Sequence, residues 1–284
     1  MKCRVYKNLS DKFFVVSETG EKIECVSRGK LKRYDKVVVG DIVEVEDNVI
    51  VDVMDRKNVL VRPPIANLDQ LLIVVSSVPK TDFLLVDKLI VKCFANNIEP
   101  VIVVSKADIL SDDFIRDVKD EYSGVVNKIV VTSSVNGQGQ GELESIMKGK
   151  LSAFAGQSAV GKSKLTNLLG GDAIVGELSK IERGKNTTRH TEIFLIGDIM
   201  LADTPGFSKL DINEIKYTKL YEYYPEFKPY NEHCKYPACC HVYEKNDDCA
   251  LKKALNSCKI NKNRYNRYIT LFEELKKYWE KMYD

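Results

Sequence analysis

The sequence predicts three units of different class in one chain: a small β-barrel, an α/β unit on a parallel sheet, and a mainly helical unit. Three observations predict this. Residues 1–65 hold short strand-like runs separated by Gly or Asp-Asn. The next stretch, 66–213, alternates continuous apolar strands with helical periods, the βαβ rhythm of a doubly wound sheet. In 214–284 Tyr, Lys and Glu dominate, and a dense Cys/His cluster precedes a charged amphipathic tail.

In the first unit the strand-like runs are Phe13–Val16, Ile23–Val26, Val37–Val45 and Val49–Val53. Several short strands in so little chain suggest a barrel of the OB-fold kind. Arg28, Lys30, Lys32, Arg33 and Lys36 cluster in one segment, and OB barrels bind nucleic acid often enough for RNA contact to be expected there. Arg62-Pro63-Pro64 breaks the pattern and marks the boundary. Buried parallel strands are then expected at Leu71–Val75, Pro100–Val104, Ile129–Val131 and Leu151–Ala155, with a helix over 83–96. A second helix is expected over 162–169, a loop over 175–185, and a hairpin from Thr191–Ile196 and Ile199–Ala202.

The most informative stretch is Gly156-Gln157-Ser158-Ala159-Val160-Gly161-Lys162-Ser163, which matches the phosphate-binding loop pattern at every fixed position. It sits between a short apolar strand and a helix, as that pattern requires. Backbone N–H groups of the loop and helix N-terminus would face phosphates. Lys162 would reach the β- and γ-phosphates, and Ser163 would hold Mg²⁺. Asp203-Thr204-Pro205-Gly206 follows a strand; Asp203 can hold Mg²⁺ directly or through water, and a Gly206 N–H can meet the γ-phosphate.

The base-reading motifs lie upstream. Ser105-Lys106-Ala107-Asp108 follows a strand and is similar to the N-K-x-D motif of GTPases. The Asp108 carboxylate would accept from guanine N1–H and the 2-amino group, a donor pair adenine lacks. The stem of Lys106 would cover the purine face. Ser105 stands where Asn is usual; a hydroxyl makes fewer bonds than an amide, which predicts weaker nucleotide affinity. Thr132-Ser133-Ser134 fits the loop that contacts guanine O6, with Ser133 and Ser134 the candidate residues. The first switch, with its Mg²⁺-binding Thr, should lie in 184–190, where Thr187 and Thr188 are both candidates.

Charge and composition bound the rest. A net charge of +2 excludes a strongly basic protein, so nucleic-acid contact must use local patches. No apolar run approaches a membrane span, and Met1–Tyr6 lacks the apolar core of a signal peptide. A cytoplasmic location without membrane contact follows, in which the eight Cys stay reduced as metal ligands or core residues.

The order of motifs (base-reading loop, second guanine loop, phosphate loop, threonine switch, D-T-P-G) is a circular permutation of the usual GTPase order. With a barrel before it and a Cys/His cluster after it, the chain resembles the RsgA (YjeQ) family over nearly its whole length. Further matching strings are Arg28-Gly29-Lys30, Val39-Gly40-Asp41, Asn67-Leu68-Asp69-Gln70 and Arg264-Tyr265-x-x-Tyr268. The resemblance implies an OB-fold, a permuted GTPase core and a zinc-containing C-terminal unit. It also implies GTP and GDP as nucleotides and GTP hydrolysis in late maturation of the small (30S) ribosomal subunit, with rRNA contact and stimulation by the subunit; the chain is expected to act as a monomer. Many family members carry a His where Asn186 stands, and Asn cannot act as a general base near neutral pH. His190 is close by in sequence and is the other catalytic candidate. Phe207 follows Asp-x-x-Gly where other GTPases place a water-orienting Gln, so a partner should complete the geometry.

Cys234, Cys239, His241 and Cys249 give the spacing C-x4-C-x-H-x7-C, three thiolates and an imidazole suited to a closed structural zinc site. The family pattern selects these four and leaves out His233 and Cys240; Cys258 is the alternative fourth ligand. Lys252, Lys253, Lys259, Lys262, Arg264 and Arg267 follow without an acidic residue among them and predict a second rRNA contact. Because the 203–207 loop leads almost directly into the zinc unit, nucleotide state and the position of that unit are expected to be coupled. Two other readings compete: an RNA-binding assembly module that uses GTP only as a placement switch, and a P-loop ATPase.

Overall fold

Alternation of apolar and polar residues closes the first unit. Strands β1 (Lys2–Leu9), β2 (Lys12–Ser17), β3 (Lys22–Ser27), β4 (Ile42–Glu46) and β5 (Val49–Val53) pair in the order β1-β2-β3-β5-β4, and β4 returns to β1. Their inward residues include Cys3, Val5, Phe13, Val15, Cys25, Val43, Val45, Ile50 and Val53, one buried cluster. Asp47 and Asn48 take left-handed conformations in the two-residue turn between β4 and β5, the geometry such hairpins favour. This computed structural model describes residues 1–29, 31, 36–170, 191–203 and 211–283. The 175–185 loop expectation, and Lys30, Lys32 and Arg33 of the basic cluster, lie outside the described residues.

Two sequence expectations are corrected in this unit. Strand β1 was not anticipated, although Cys3 and Val5 alternate inward. The expected strand Val37–Val45 begins only at Ile42. Gly40 has φ +92, and a Cβ there would lie 2.0 Å from the Ala66 carbonyl oxygen. Asp41 is fully buried, accepts from Val38 N at 2.8 Å and pairs with Arg56 at 2.7 Å. The chain therefore turns at 39–41 instead of running on. Asn67 donates to the Gly40 carbonyl at 3.1 Å and accepts from Lys57 N at 2.8 Å. The Val39-Gly40-Asp41 and Asn67-Leu68 strings thus meet where the barrel joins the next unit. The prolines at 63 and 64 do not simply interrupt structure; they turn a short hairpin, β6 (Val59–Val61) on β7 (Pro64–Ala66).

The second unit is a six-stranded sheet. Strands β8 (Gln70–Val75), β9 (Glu99–Val104), β10 (Lys128–Val131) and β11 (Leu151–Ala155) precede β12 (Glu192–Ile196) and β13 (Ile199–Asp203). The order is β10-β9-β8-β11-β13-β12, parallel except for β12. Helices α1 (Phe83–Ala95), α2 (Asp112–Tyr122), α3 (Gln140–Met147) and α4 (162–170) accompany it. β8 is buried along its whole length, as its unbroken apolar run requires. β12 also pairs with β1 at Lys7↔Glu192, so barrel and sheet share eleven hydrogen-bonded strands.

The last unit opens with 3₁₀ helices at Tyr217–Tyr223 and Pro225–Phe227, followed by α5 (Lys228–Asn231), α6 (Ala250–Asn256) and α7 (Lys262–Tyr283). Its core combines Leu220, Tyr224, Phe227, Leu251, Tyr268, Leu271 and Phe272 with Val91 of α1. Ion pairs Lys88–Glu274 and Lys92–Glu214 flank the same helix.

Candidate functional site

The phosphate loop is shaped by its glycines. Gly156 has φ +129, and a Cβ there would sit 2.6 Å from the Val74 carbonyl oxygen; Gly161 has φ +112. The loop runs from the end of β11 into α4, whose Leu165 and Leu169 are buried against the sheet. The Lys162 ammonium donates to the carbonyls of Gly156 at 2.8 Å and Gln157 at 2.7 Å, so the side chain folds back across the loop. Partial burial pushes its pKa down from the usual lysine value. Ser158 and Ala159 are exposed at the crest, Ala159 at φ +64, while Val160 is buried beneath.

Ser105, in the place usual for Asn, links the base-reading loop to the phosphate loop. It is buried, and its hydroxyl contacts the Val160 carbonyl of the phosphate loop and the Val75 carbonyl of β8, the latter at 3.2 Å. One proton cannot serve both acceptors at full strength, but the loop-to-loop bridge is present. Lys106, left-handed at φ +62, extends its ammonium to the carbonyls of Val78 at 2.6 Å and Ala159 at 3.0 Å. Asp108 lies in a short 3₁₀ turn, and the buried Ser133 hydroxyl donates to its Oδ1. Main-chain bonds Ala107 N to Thr132 O (2.9 Å) and Thr132 N to Val104 O (2.7 Å) lock the two base-reading loops together. Ser134 is half-buried beside them. Three loops far apart in sequence thus meet at the carboxyl ends of β8, β9, β10 and β11.

Asp203 ends β13, the parallel neighbour of β11, which leads to Ser163. The two oxygen donors therefore belong to one sheet edge and suit a hard divalent cation. Asn186, Thr187, Thr188, His190, Gly206 and Phe207 lie outside the described residues.

The four candidate metal ligands converge. The donor atoms of Cys234, Cys239, His241 and Cys249 lie within 4.8 Å of one another. His241 Nδ1 is 3.7, 3.4 and 3.4 Å from the three sulfurs, and Cys234 Sγ is 3.9 Å from Cys249 Sγ. A tetrahedral zinc bonded at ~2.3 Å to sulfur and ~2.0 Å to nitrogen implies edges of about 3.8 and 3.5 Å, so the set fits that ion. His241 Nε2 is 3.0 Å from Asn231 Oδ1, which fixes the tautomer that leaves Nδ1 as donor. Burial pushes the imidazole pKa down to about 4, keeping it in the neutral, ligating form. Cys258 is exposed and Cys240 lies outside the group, so Cys249 is the fourth member. All eight cysteines are free.

The basic stretch after the cluster is corrected in part. Arg264 is only 1% exposed: it donates to Asp87 at 2.6 Å and to Glu226 at 2.7 Å. Arg267 donates to the other Asp87 oxygen at 2.6 Å and also reaches Glu121. The Lys252 ammonium is taken by the carbonyls of Val242 and Glu244. Lys253, Lys259 and Lys262 remain exposed. Tyr265 and Tyr268 face inward and donate to the carbonyls of His241 and Cys240, both at 2.6 Å. The arginines serve the fold because distant carboxylates claim them, the buried Asp87 177 and 180 positions away and the half-buried Glu226 38 positions away; no local signal in the sequence marks that. Asn231 and the Gln157–Asp82 contact (2.9 Å) escaped the sequence for the same reason.

A phosphate loop downstream of its own base-reading loops, on a sheet of this order, defines a circularly permuted P-loop GTPase. The comparisons agree. The RsgA GTPase family model matches residues 53–213. The Small ribosomal subunit biogenesis GTPase RsgA of Caldanaerobacter subterraneus is 39% identical over 99% of this chain and 97% of its own. The protein of that name from Clostridium beijerinckii is 36% identical, covering 97% of each chain. YjeQ from Thermotoga maritima superposes with a TM-score of 0.84 at 35% identity, covering 96% of this chain and 98% of its own. YloQ, described as a circularly permuted GTPase, superposes at 0.81 with 28% identity, covering 97% of this chain and 95% of its own. The chain is a GTPase of the RsgA family.

Proposed function

We propose that this GTPase acts in maturation of the small ribosomal subunit, hydrolysing GTP when the subunit and its rRNA engage it. The observation that carries this is the near-complete coverage of relatives named for that role, combined with assembly of all three nucleotide loops at one sheet edge. In this reading Asp108, held by Ser133, selects guanine, and Lys106 lies along the base. Backbone N–H groups of 156–163 bind the phosphates, and Lys162 turns from its own loop carbonyls to the β- and γ-oxygens. Ser163 and Asp203, with Thr187 or Thr188, would hold Mg²⁺, which supplies positive charge to those oxygens. Zinc held by Cys234, Cys239, His241 and Cys249 would stabilise the C-terminal unit without an open position for chemistry.

Among the described residues no helix is long and apolar enough to cross a membrane. We take the chain as a cytoplasmic monomer divided at 65/66 and 213/214, with Arg28, Lys36, Lys253, Lys259 and Lys262 as exposed rRNA-facing groups. The deciding experiment measures GTP turnover with and without small subunits for wild type, His190→Ala and Asn186→Ala. Stimulation of the wild type is expected, and loss in one variant identifies the residue that orients water. Absence of stimulation would favour the placement-switch reading, and effective competition by ATP for labelled GTP would favour the ATPase.

A further inference from the structure

Helix α1 touches both candidate sites. At its start, the N–H of Asp82 donates to the Gln157 side chain of the phosphate loop at 2.9 Å, and the Asp82 carboxylate caps Leu84 N and Leu85 N. Five residues on, about 7.5 Å along the axis, Asp87 is fully buried and accepts from three groups. Oδ1 takes Tyr122 OH at 2.8 Å and Arg264 Nη1 at 2.6 Å; Oδ2 takes Arg267 Nε at 2.6 Å. The next residue after Arg264 on α7 is Tyr265, which with Tyr268 holds the carbonyls of His241 and Cys240 in the Cys/His turn. One turn beyond Asp87, Val91 shares an apolar core with Cys239, Cys249, Tyr265 and Tyr268. The route from the phosphate loop to the Cys/His turn thus begins at an exposed hydrogen bond, Asp82 N–H to Gln157, and runs through buried groups from Asp87 onward.

The electrostatics make α1 hard to release. Burial by itself would lower the Arg264 pKa, yet Asp87 and Glu226 outweigh it and hold the guanidinium above its ordinary value. Separating α7 from α1 would take both arginines from Asp87 at once and leave that buried carboxylate with Tyr122 alone, so the contact opens only together with the core around Val91. A ligand that binds only the closed arrangement protects everything that must open with it.

We propose that α1 makes nucleotide occupancy of the 156–163 loop and metal retention by Cys234, Cys239, His241 and Cys249 mutually stabilising. The proposal rests on the nucleotide and zinc assignments above, and its route runs through Gln157, Asp82 and Asp87, independent of the chain between 203 and 211. Because coupling between two ligands is reciprocal, it has two readouts that need no turnover.

The test uses zinc-loaded full-length protein and follows zinc transfer to a chromophoric chelator, without nucleotide and with saturating GDP. Release is expected to slow by about fivefold or more with GDP, the usual lower range of such coupling. The affinity of fluorescent GDP should also fall once zinc is stripped, by the factor by which GDP raises the equilibrium zinc affinity measured against the same chelator. In Asp87→Asn the GDP effect on zinc release should shrink toward 1, and the wild-type ratio stands as a test even if that variant folds poorly. Equal release rates with and without GDP overturn the coupling, provided the same preparation binds fluorescent GDP and carries one zinc per chain. Failure of either of those overturns the site assignments themselves, and the coupling with them.

Discussion

Ser105 decides how the phosphate loop is held. Only 2% exposed itself, it contacts through its hydroxyl the Val75 carbonyl and the Val160 carbonyl, the latter 55 positions away in the phosphate loop. Removing it takes the hydroxyl donor from the buried Val160 carbonyl, while the Val75 carbonyl keeps the Ser105 N–H at 2.9 Å. Ser105→Ala is expected to raise the GDP dissociation constant roughly fivefold, about the net worth of one hydrogen bond; titration with fluorescent GDP measures this, and an unchanged constant would remove Ser105 from the site. Asp108 is expected to fix the choice of base. Asp108→Asn should weaken GTP by roughly ten- to 100-fold, as loss of a charged hydrogen-bond acceptor implies, while improving xanthosine nucleotides. A variant that binds GTP as the wild type does would refute the base-reading assignment.

At the scale of elements, the Cys/His turn shows how neighbours prepare a candidate ligand. Asn231 ends α5 and lies 3.0 Å from His241 Nε2, on the far side of the ring from the three sulfurs. Partners of this kind orient the imidazole and raise its basicity. Asn231→Ala is therefore expected to lower zinc affinity roughly 10- to 100-fold without removing any ligand. Competition against a chelator of known affinity measures it, and an unaltered affinity would show that packing of Tyr221 and Phe227 on the ring suffices.

Over the whole molecule, the three units are joined by unlike means. The barrel continues into the sheet through the β1–β12 pairing and the Lys7–Glu192 ion pair at 2.9 Å. The C-terminal unit instead docks on α1 through an apolar core that takes in Val91 and through buried charge, with Asp87 and Glu121 meeting Arg264 and Arg267. Arg264→Met is expected to destabilise the protein by about 3–5 kcal/mol, since it strands buried carboxylates. The exposed Arg116–Asp113 pair gives the contrast: Arg116→Ala should change stability by less than about 1 kcal/mol. Urea unfolding of both variants separates the cases, and equal losses would contradict the burial argument.

The sequence by itself determined whatever short spacing can encode. The phosphate loop, Asp108, Asp203 and the ligand set Cys234, Cys239, His241 and Cys249 all follow from residue types a few positions apart, because a turn or a strand end fixes their geometry locally. Continuous apolar runs likewise placed β8, β9 and β11 to within a residue, since a strand buried on both faces tolerates little else. Helices α2 and α3 were not anticipated: α3 buries only Leu143 and Met147, whereas in α2 the spacing of Phe114, Ile115, Val118 and Tyr122 was a helical signal that went unread. Tertiary structure alone decided that Arg264 and Arg267 leave the basic surface, that Tyr265 and Tyr268 hold the Cys/His turn, and that Gln157 touches α1. The physical reason is the same in each case. A buried charge, a backbone carbonyl or, for Gln157, a backbone N–H finds its partner by position in space, and here those partners stand between 24 and 180 residues away.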